Sequence, residues 1–378
     1  MTYEIKKIGD VAKVISGFAF KSSDLDESYE IPVIKIGNIS ENGLVNTDDT
    51  ECFSKNAIQQ KHDKYWLKDK DIILAMTGAT AGKAGRIHCG ESEKFLLNQR
   101  VAKISPDKIN ADFFWQIIRS KHYRDIFQSL GGGSAQPNFS TAQIENVQIT
   151  VPSDNSQRAI GDFASDIDDL IENNRRRIAL LQDSAQLLYR EMFVHFRFRE
   201  LQNAYCNEKL PNGWNKISIG EYCPFKYGKA LKAENRVAGK YPVFGSSGII
   251  GWHQEALVKG PGIVIGRKGN VGTVFFIQDD FWPIDTTYFI TGPIVSEYLF
   301  LALNYTQFLN TDVAVPGLNR DFAHSREIII PQRNYLEKFQ NQVSPIFKQI
   351  KILNEHSSSL ICARDLLLPR LMDGKIAL

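Results

Sequence analysis

The sequence contains an internal repeat, and this repeat constrains the fold more than any single motif does. "KIGDVAKVISGFAFK", which ends at Lys21, corresponds to "SIGEYCPFKYGKALK", which ends at Lys232, and "YEIPVIKIGNIS" corresponds to "GKYPVFGSSGII". Farther along, "QPNFSTAQIENVQITVP" corresponds to "VPGLNRDFAHSREIIIP", so Pro152 falls on Pro331, 179 residues later. A repeat of this kind predicts two related β-rich units, each completed by the segment that follows it.

The segment after each β-rich unit has a seven-residue pattern of apolar residues that is typical of a coiled coil. In the first copy one series is Ile160, Ile167, Asn174, Leu181 and Leu188, and the other is Ala164, Ile171, Ile178, Ala185 and Met192. The second copy keeps the register 179 residues later, as Phe339, Ile346, Leu353, Leu360 and Leu367 with Val343, Ile350, Ser357, Arg364 and Leu371. Each pattern predicts a helix of about 40 residues, or about 60 Å at 1.5 Å per residue.

Neither helix can bury its apolar stripe alone, so we expect the two helices to pack against each other. An antiparallel pair would carry the two β-rich units to opposite ends and relate them by an approximate two-fold axis. Pro345 lies near the start of the second helix and is expected to kink it or to delay its beginning. Asn174 either sets the register of the pair or marks a site where water reaches the seam.

These patterns together predict an α+β fold. Two similar β-rich α/β domains are separated by a long antiparallel two-helix coiled coil, with a pseudo-two-fold internal repeat. The expected boundaries are residues 1–153 for the first domain, 154–210 for the first long helix and linker, 211–332 for the second domain and 333–378 for the second long helix and tail.

A glycine-rich stretch in the first copy is similar to a phosphate-binding loop but departs from it in two respects. In "TGATAGKAGRI" three residues separate the first glycine from the pair Gly82 and Lys83, where a Walker loop has four. Ala84 then stands where such a loop has the Ser or Thr that holds magnesium. The spacing and the missing hydroxyl both argue against a nucleotide site.

The second copy favours a tight turn between strands at this stretch. The repeat pairs Gly82 with Gly269, Gly85 with Gly272 and Lys83 with Asn270, so only the glycines are shared. Glycine supplies the positive φ that such turns require. The turn would also let the backbone approach a ligand closely, and its flanking cations are candidates for phosphate contacts: Lys83, Arg86, Arg267 and Lys268.

Composition narrows the class of partner only slightly. Lysine and arginine number 45 against 43 aspartate and glutamate residues, so any surface for a polyanion is a local patch. The polar amino terminus and the absence of a run of roughly 18 apolar residues predict a cytoplasmic protein with no membrane partner. Five scattered cysteines, none in a C-x-x-C pair, indicate neither a disulfide framework nor a metal site.

The internal repeat and several short sequence segments within it resemble the specificity subunit of type I restriction-modification enzymes, and the resemblance covers nearly the whole chain. The likeness is carried by "IPVIKIGNI", "GATAGKAGRI", "SAQPNFS", the strand ends "ITVP" and "IIIP", and the long helix after each. It implies two target recognition domains held apart on an antiparallel coiled coil. Each domain would recognise half of a bipartite, asymmetric sequence in double-stranded DNA, with an unspecified gap between the halves.

The same resemblance implies the partners and cofactors. Two modification subunits that methylate adenine would bind the chain, and the complex would recruit restriction subunits that act as an ATP-driven motor and nuclease. No cofactor is then expected in this chain, because S-adenosylmethionine, ATP and magnesium belong to the partner subunits. The sequence has no N-P-P-Y tetrapeptide for a flipped adenine and no H-E-x-x-H motif, so no catalytic activity is expected of the isolated chain.

One stretch of the second copy is the best local case for a DNA-binding surface. "FKYGKALKAENRVAGKYP" has Tyr227 and Tyr241 among five cations and one acid, and the cations are Lys226, Lys229, Lys232, Arg236 and Lys240. Clustered cations with interleaved aromatic residues favour nucleic-acid binding, and a solvated basic loop is the alternative. The thinner equivalents in the first copy are Lys21, Lys35 and Asn38.

Side chains of the types that pair with adenine and guanine occur in "LNQR" and "SAQPNFS". They are Gln99, Arg100, Gln136 and Asn138, and each could instead bond within its own loop. The weaker candidates in the second copy are Ser246, Ser247, Asn270, Thr286, Thr287, Asn319 and Arg320. The run Arg175 to Arg177 in the first long helix favours a solvated face over a contact with the DNA gap or the modification subunits.

Two other classes of function stay open on the sequence. One is a nucleotide-dependent enzyme built around Gly78 to Gly85, against which the loop spacing and the second copy argue. The other is a coiled-coil scaffold or protein-docking subunit without sequence-specific DNA binding.

Overall fold

The computed structural model describes residues 3–40, 43–47, 50–90, 93–131, 138–197, 210–306, 308 and 317–376. The chain divides into two compact units, one of Met1–Glu172 with Ser357–Leu378 and the other of Asn173–His356. Both division points lie inside the long helices, so each unit contains one β-rich repeat and part of each helix. The fold is α+β with two repeated domains, as predicted.

The first repeat contains short strands and helices followed by one long helix. Its strands are β1 (Tyr3–Lys7), β2 (Ala12–Ser16), β3 (Leu25–Asp26), β4 (Ile31–Ile34), β5 (Cys52–Phe53), β6 (Trp66–Leu67), β7 (Ile72–Ala75), β8 (Ala84–Arg86), β9 (Phe95–Leu97), β10 (Val101–Pro106) and β11 (Gln148–Pro152). Its helices are α1 (Ile8–Val11), α2 (Ala111–Ile118), α3 (Lys121–Leu130), α4 (Thr141–Glu145) and α5 (Asp154–Tyr189), and α5 ends in a π-helical turn over Arg190–Val194.

The core of the first unit lies on both faces of an antiparallel sheet in the order β2-β10-β7-β8. Strand β7 is buried along its whole length, and its residues alternate between two hydrophobic clusters, as the two-residue period of a strand requires. Ile72 and Leu74 belong to the cluster that contains α2 and α5, while Ile73 and Ala75 belong to the cluster on the other face. A second sheet has the order β3-β5-β4-β9-β6 with β4 and β9 parallel, and β1 pairs with β11.

The second repeat follows the same plan with fewer strands. Its strands are β12 (Asn215–Ser218), β13 (Lys226–Tyr227), β14 (Tyr241–Gly245), β15 (Gly248–His253), β16 (Gly262–Gly266), β17 (Val274–Ile277), β18 (Trp282–Pro283), β19 (Thr287–Thr291) and β20 (Glu327–Ile330). Its helices are α6 (Ile219–Tyr222), α7 (Glu297–Tyr305), α8 (Arg320–Ser325) and α9 (Arg333–Met372).

The sheets of the second unit repeat the connections of the first. The order β13-β19-β16-β17 matches β2-β10-β7-β8, and the pair β12 and β20 matches β1 and β11. The remaining sheet, β15-β14-β18, keeps the parallel pair, with β14 and β18 in place of β4 and β9. The predicted internal repeat is therefore confirmed at the level of strand order.

The two long helices bury the predicted seam and run in opposite directions. In the first unit, Ile160 and Ala164 near the start of α5 share a buried cluster with Leu371 near the end of α9. In the second unit, Ala185 near the end of α5 shares a buried cluster with Phe339 near the start of α9. Each unit therefore contains an antiparallel helix pair, as expected from the internal repeat and from the family resemblance.

One seam position and one of the two alternatives for Pro345 are wrong. Leu367 is 37% exposed, and Leu368 at 8% takes its place against the core, so the second seam shifts by one residue at its end. Pro345 does not delay its helix, because α9 begins at Arg333 and continues through the proline. Phe339 before the proline and Phe347 after it are both buried in the same cluster, and this packing stabilises helix on both sides of it.

Polar side chains within the helix pairs have defined partners. Asn174 is buried, and its Nδ2 lies 3.1 Å from Nδ1 of His356 on α9, which favours a register-setting role over entry of water. Asp168 accepts hydrogen bonds from Arg119 at 2.8 Å and from Arg364 at 2.6 Å. Burial lowers the pKa of Arg119, and the carboxylate of Asp168 opposes this effect.

Candidate nucleic-acid interface

The glycine turn of each repeat joins the two strands at one side of the main sheet, but its alignment differs from the predicted one. The amide of Gly82 donates to the carbonyl of Ala75, and the amide of Gly272 donates to that of Gly266, so these two glycines correspond. The remaining pairs are Gly78 with Gly269, and Lys83 with Thr273 rather than with Asn270.

The four aligned glycines have φ between +79° and +83°, which confirms the tight turn. The first loop, from Thr77 to Lys83, is one residue longer than the second, from Lys268 to Thr273. The one-residue difference explains why an alignment at constant offset paired the wrong glycines. The Gly-Lys pair remains unique to the first copy.

The two cations flanking the first turn are used inside the protein. Arg86 is 4% exposed, and its Nη2 donates to Asp112 at 2.6 Å. The Nζ of Lys83 donates to the carbonyl of Ile39 at 3.1 Å. The sequence predicts both as phosphate contacts, and the prediction is wrong for Arg86, because its buried guanidinium is held away from a ligand at the surface. For the half-buried Lys83 it stays a prediction.

Two further candidates of the first repeat also bond within their own loops. The ammonium of Lys35 pairs with the carboxylate of Glu51. The side-chain amide of Asn38 donates to the carbonyl of Asn46 and to the hydroxyl of Thr50, each at 2.9 Å. The Asn38 side chain therefore stabilises its own loop, as asparagine side chains often do.

The other candidates of the first repeat lie at the end of β7. The carbonyl of Arg100 accepts from the amide of Met76, and Thr77 forms a β-bridge with Asn138, so residues from two distant stretches meet there. Gln99, Arg100 and Asn138 are exposed, as is Lys21, and Arg100 has φ of +71°. Gln136 lies outside the described residues.

The corresponding place in the second repeat carries more positive charge. The amide of Arg267 donates to the carbonyl of Thr286, and the carbonyl of Arg267 accepts from the amide of Leu318, which repeats the bonding of Met76. The guanidinium carbons of Arg267 and Arg320 are each 5.1 Å from the centroid of the Tyr227 ring, which is 49% exposed. Guanidinium groups at such distances are attracted by the ring.

A groove of about 450 Å³ opens beside β13 in the second unit. Its lining includes Lys226, Lys229 and Lys259 together with Phe289 and Thr291. All three lysines are exposed, so the groove offers positive charge beside an apolar floor. Lys259 was missed on the sequence because it stands alone, far along the chain from the basic stretch that contains the other two.

The rest of the predicted basic stretch has mixed roles. Arg236 donates to the carbonyls of Ile250 at 2.7 Å and Leu231 at 3.3 Å, so it fastens its loop rather than facing a ligand. Lys232 is exposed and lies 3.6 Å from Glu234, and Lys240 is exposed next to the ring of Tyr241.

The polar candidates of the second repeat also divide into structural and exposed residues. Asn319 caps α8 by accepting from the amides of Asp321 and Phe322, and Thr287 is fully buried. The Thr287 candidate is therefore wrong, since no ligand can reach it. The side chains left at or near the surface of the turn belong to Ser246, Ser247, Lys268, Asn270 and Thr286.

The first long helix adds exposed positive charge. Arg175, Arg176 and Arg177 are exposed, as both a solvated face and a contact with a partner require, so the solvated face stays a prediction. Within the residues that the structure describes, no helix is long and apolar enough to cross a bilayer. Over the same residues, no three His, Cys, Asp or Glu side chains gather as the ligands of a metal ion would.

The chain belongs to the family of the type I restriction modification DNA specificity domain, whose model matches residues 1–183 and again residues 211–358. The type I restriction enzyme MjaIX specificity subunit of Methanocaldococcus jannaschii is 24% identical over 413 residues, which cover 99% of this chain and 93% of that protein. The EcoBI specificity subunit of Escherichia coli is 27% identical over 183 residues, which cover 48% of this chain and 35% of that protein.

A solved structure shares the fold over nearly the whole chain. The crystal structure of the type I restriction-modification S subunit from M. genitalium matches with a TM-score of 0.58 at 17% identity. The match covers 98% of this chain and 96% of that chain.

Proposed function

We propose that this chain is the DNA-specificity subunit of a type I restriction-modification complex. Each repeat recognises one half of a bipartite, asymmetric site in double-stranded DNA. The observation that carries the proposal is the repeat itself, since the same strand order occurs twice in one chain of the specificity family. The two copies present different side chains at their turns, and unlike surfaces select unlike half-sites.

Affinity in this proposal comes first from the DNA backbone. Exposed lysines neutralise phosphates, and the shared position of Lys226, Lys229 and Lys259 in the lining of one groove of the second unit supports this role. Base choice then depends on fewer side chains, such as Gln99, Arg100 and Asn138 beside the first turn. Both kinds of contact are needed, because phosphate contacts alone carry no information about sequence.

The chemistry belongs to partners in this proposal. Two modification subunits dock on the chain and methylate adenine with S-adenosylmethionine, and restriction subunits contribute the ATP- and magnesium-dependent steps. The chain itself is assigned no catalytic residue. The complex acts in the cytoplasm.

Selection from a random pool of duplexes tests the proposal. The full chain is assembled with the modification subunits of its own system, and the modification subunits alone serve as the control. We expect the complete complex to recover two short motifs at a constant separation and the control to recover none. Recovery of no split motif by the complete complex would contradict the proposal and favour a scaffold role.

A further inference from the structure

The most distinctive polar cluster of the second unit has three members from three separate elements. Tyr227 lies on the edge strand β13, Arg267 follows β16, and Arg320 is the first residue of α8. Both guanidinium groups contact the one half-exposed ring. At these distances the ring attracts each guanidinium, and this attraction does not use up the several N–H donors that a guanidinium carries.

The first repeat has a different residue at each of the three positions. The amides of Gly17 and Gly228 donate to the carbonyls of Val101 and Thr287, which correspond, so the residues before the two glycines correspond as well. By this criterion and the bonding described above, the counterparts of Tyr227, Arg267 and Arg320 are Ser16, Met76 and Thr141. The common fold does not require the cluster.

Backbone and ring contacts hold the two arginines in place. Arg267 donates from Nη1 to the carbonyl of Asp285 at 3.1 Å, and its own amide and carbonyl are bonded on either side. The Nε of Arg320 is buried, and no hydrogen-bond partner for it is found among the described residues. Fixed guanidinium groups of this kind lose little conformational entropy when they bind a planar partner.

We propose that Tyr227, Arg267 and Arg320 form a guanine-recognising cluster that determines the specificity of the second half-site. Arg267 and Arg320 donate N–H groups to O6 and N7 of guanine in the major groove, which is the commonest specific contact of arginine with DNA. Tyr227 is a positioning residue that orients both guanidinium groups. The proposal rests on the proposed function of the chain in DNA recognition.

Charge-conserving substitutions separate base recognition from phosphate binding. The full chain with its modification subunits is tested as wild type, as Arg267→Lys, Arg320→Lys and the double variant, and as Tyr227→Phe and Tyr227→Ala. Arg326→Lys is the matched control, since Arg326 lies over the ring of Phe322 in the same unit, outside the cluster. The measurements are affinities for the selected duplex and for duplexes with each guanine replaced, over a range of salt concentrations.

We expect the double lysine variant to lose about tenfold or more of its preference for guanine in one half-site. Its preference in the other half-site and its salt dependence remain as in wild type, because the charge is kept. Tyr227→Phe keeps the preference and Tyr227→Ala weakens it, since the ring is the part that positions the arginines. Melting temperatures check that each variant is folded, and Tyr227→Phe and the lysine variants preserve the shape of the site.

Three outcomes would overturn the proposal in distinguishable ways. Unchanged guanine preference in the double lysine variant would overturn the cluster and leave the proposed function standing. An equal loss of affinity for the selected duplex and for every guanine-replaced duplex would show that the arginines bind the DNA backbone instead of recognising a base. A wild-type complex that selects no bipartite site would overturn the proposed function and this inference together.

Discussion

The two repeats share a strand order but use their cations differently. In the first repeat, Arg86 is buried against Asp112 and Lys83 is bonded to the carbonyl of Ile39. In the second repeat, Arg267 and Arg320 lie around an exposed tyrosine. A cation next to a shared turn geometry can thus stabilise one copy and remain available to a ligand in the other, so function has to be assigned residue by residue.

The cores beside the long helices differ in a similar way. In the first unit the seam contributes aliphatic residues such as Ile160 and Leu371. In the second unit the seam contributes Phe193 and Phe339, whose ring centroids are 5.0 Å apart in an edge-to-face arrangement. Aromatic pairs of this kind stabilise beyond the area they bury, so the helix seam of the second unit depends more strongly on a few large side chains than the seam of the first unit does.

Of the predicted changes, exchange of one domain is expected to have the largest effect, and this effect is on the DNA sequence that the complex selects. Replacing residues 211–332 with those of a relative should change one half of the selected DNA site completely and leave the other half intact. Selection from random duplexes measures this. Simultaneous change of both halves would mean that the repeats do not act separately.

Truncation of one buried side chain in the helix seam should lower the stability of the unit that contains it more than the stability of the other unit. Phe339→Ala is expected to cost about 3–5 kcal/mol, because it removes a fully buried ring. The matched change Ile160→Ala in the first repeat removes a smaller side chain and is expected to cost about 2–4 kcal/mol. Hydrogen exchange of backbone amides, followed separately in each unit, measures both. Equal destabilisation of both units by Phe339→Ala would contradict the description of two separate cores.

Removal of the groove lysines should have a smaller effect that depends on salt. Lys226, Lys229 and Lys259 changed together to Ala should reduce the slope of log affinity against log salt by about 0.9 for each phosphate that is no longer neutralised. Lys232→Ala is the control, because Lys232 faces Glu234 and does not line the groove. An unchanged slope in the triple variant would exclude the groove from the DNA interface.

Acidification should slightly lower the folding stability of the second unit through protonation of His324. Burial lowers the pKa of His324, nearby Arg320 lowers it further, and its Nε2 accepts from the amide of Phe225 at 2.9 Å. Because the unfolded histidine has the higher pKa, its stabilising contribution is complete above about pH 6.5 and is lost as pH falls through the lower folded value. We expect the melting temperature to fall by no more than a few degrees from this group.

A matched variant isolates the histidine. His324→Gln offers an acceptor that does not titrate, so the protection factor of the Phe225 amide should fall on acidification in wild type and fall less in the variant. The same fall in both proteins would assign the acid sensitivity to other groups.

The sequence was sufficient for features with a periodic signal and insufficient for those that depend on distant partners. The heptads predicted both long helices and the face that each buries, because burial of one face repeats every seven residues. The turn glycines were recognised, but their alignment was off because one loop has an extra residue. Arg86 and Arg236 looked like surface cations, since nothing nearby in the chain shows that Asp112 and the carbonyl of Ile250 lie opposite them.

Phosphate-ethylation interference on the selected duplex, bound to the full complex, tests the central claim most directly. If each repeat recognises its own half-site, ethylation should block binding at two separate groups of phosphates with an insensitive gap between them. Substitution of Lys226, Lys229 and Lys259 should weaken one of these groups alone. A single continuous block of sensitive phosphates, or equal weakening of both groups, would contradict the account.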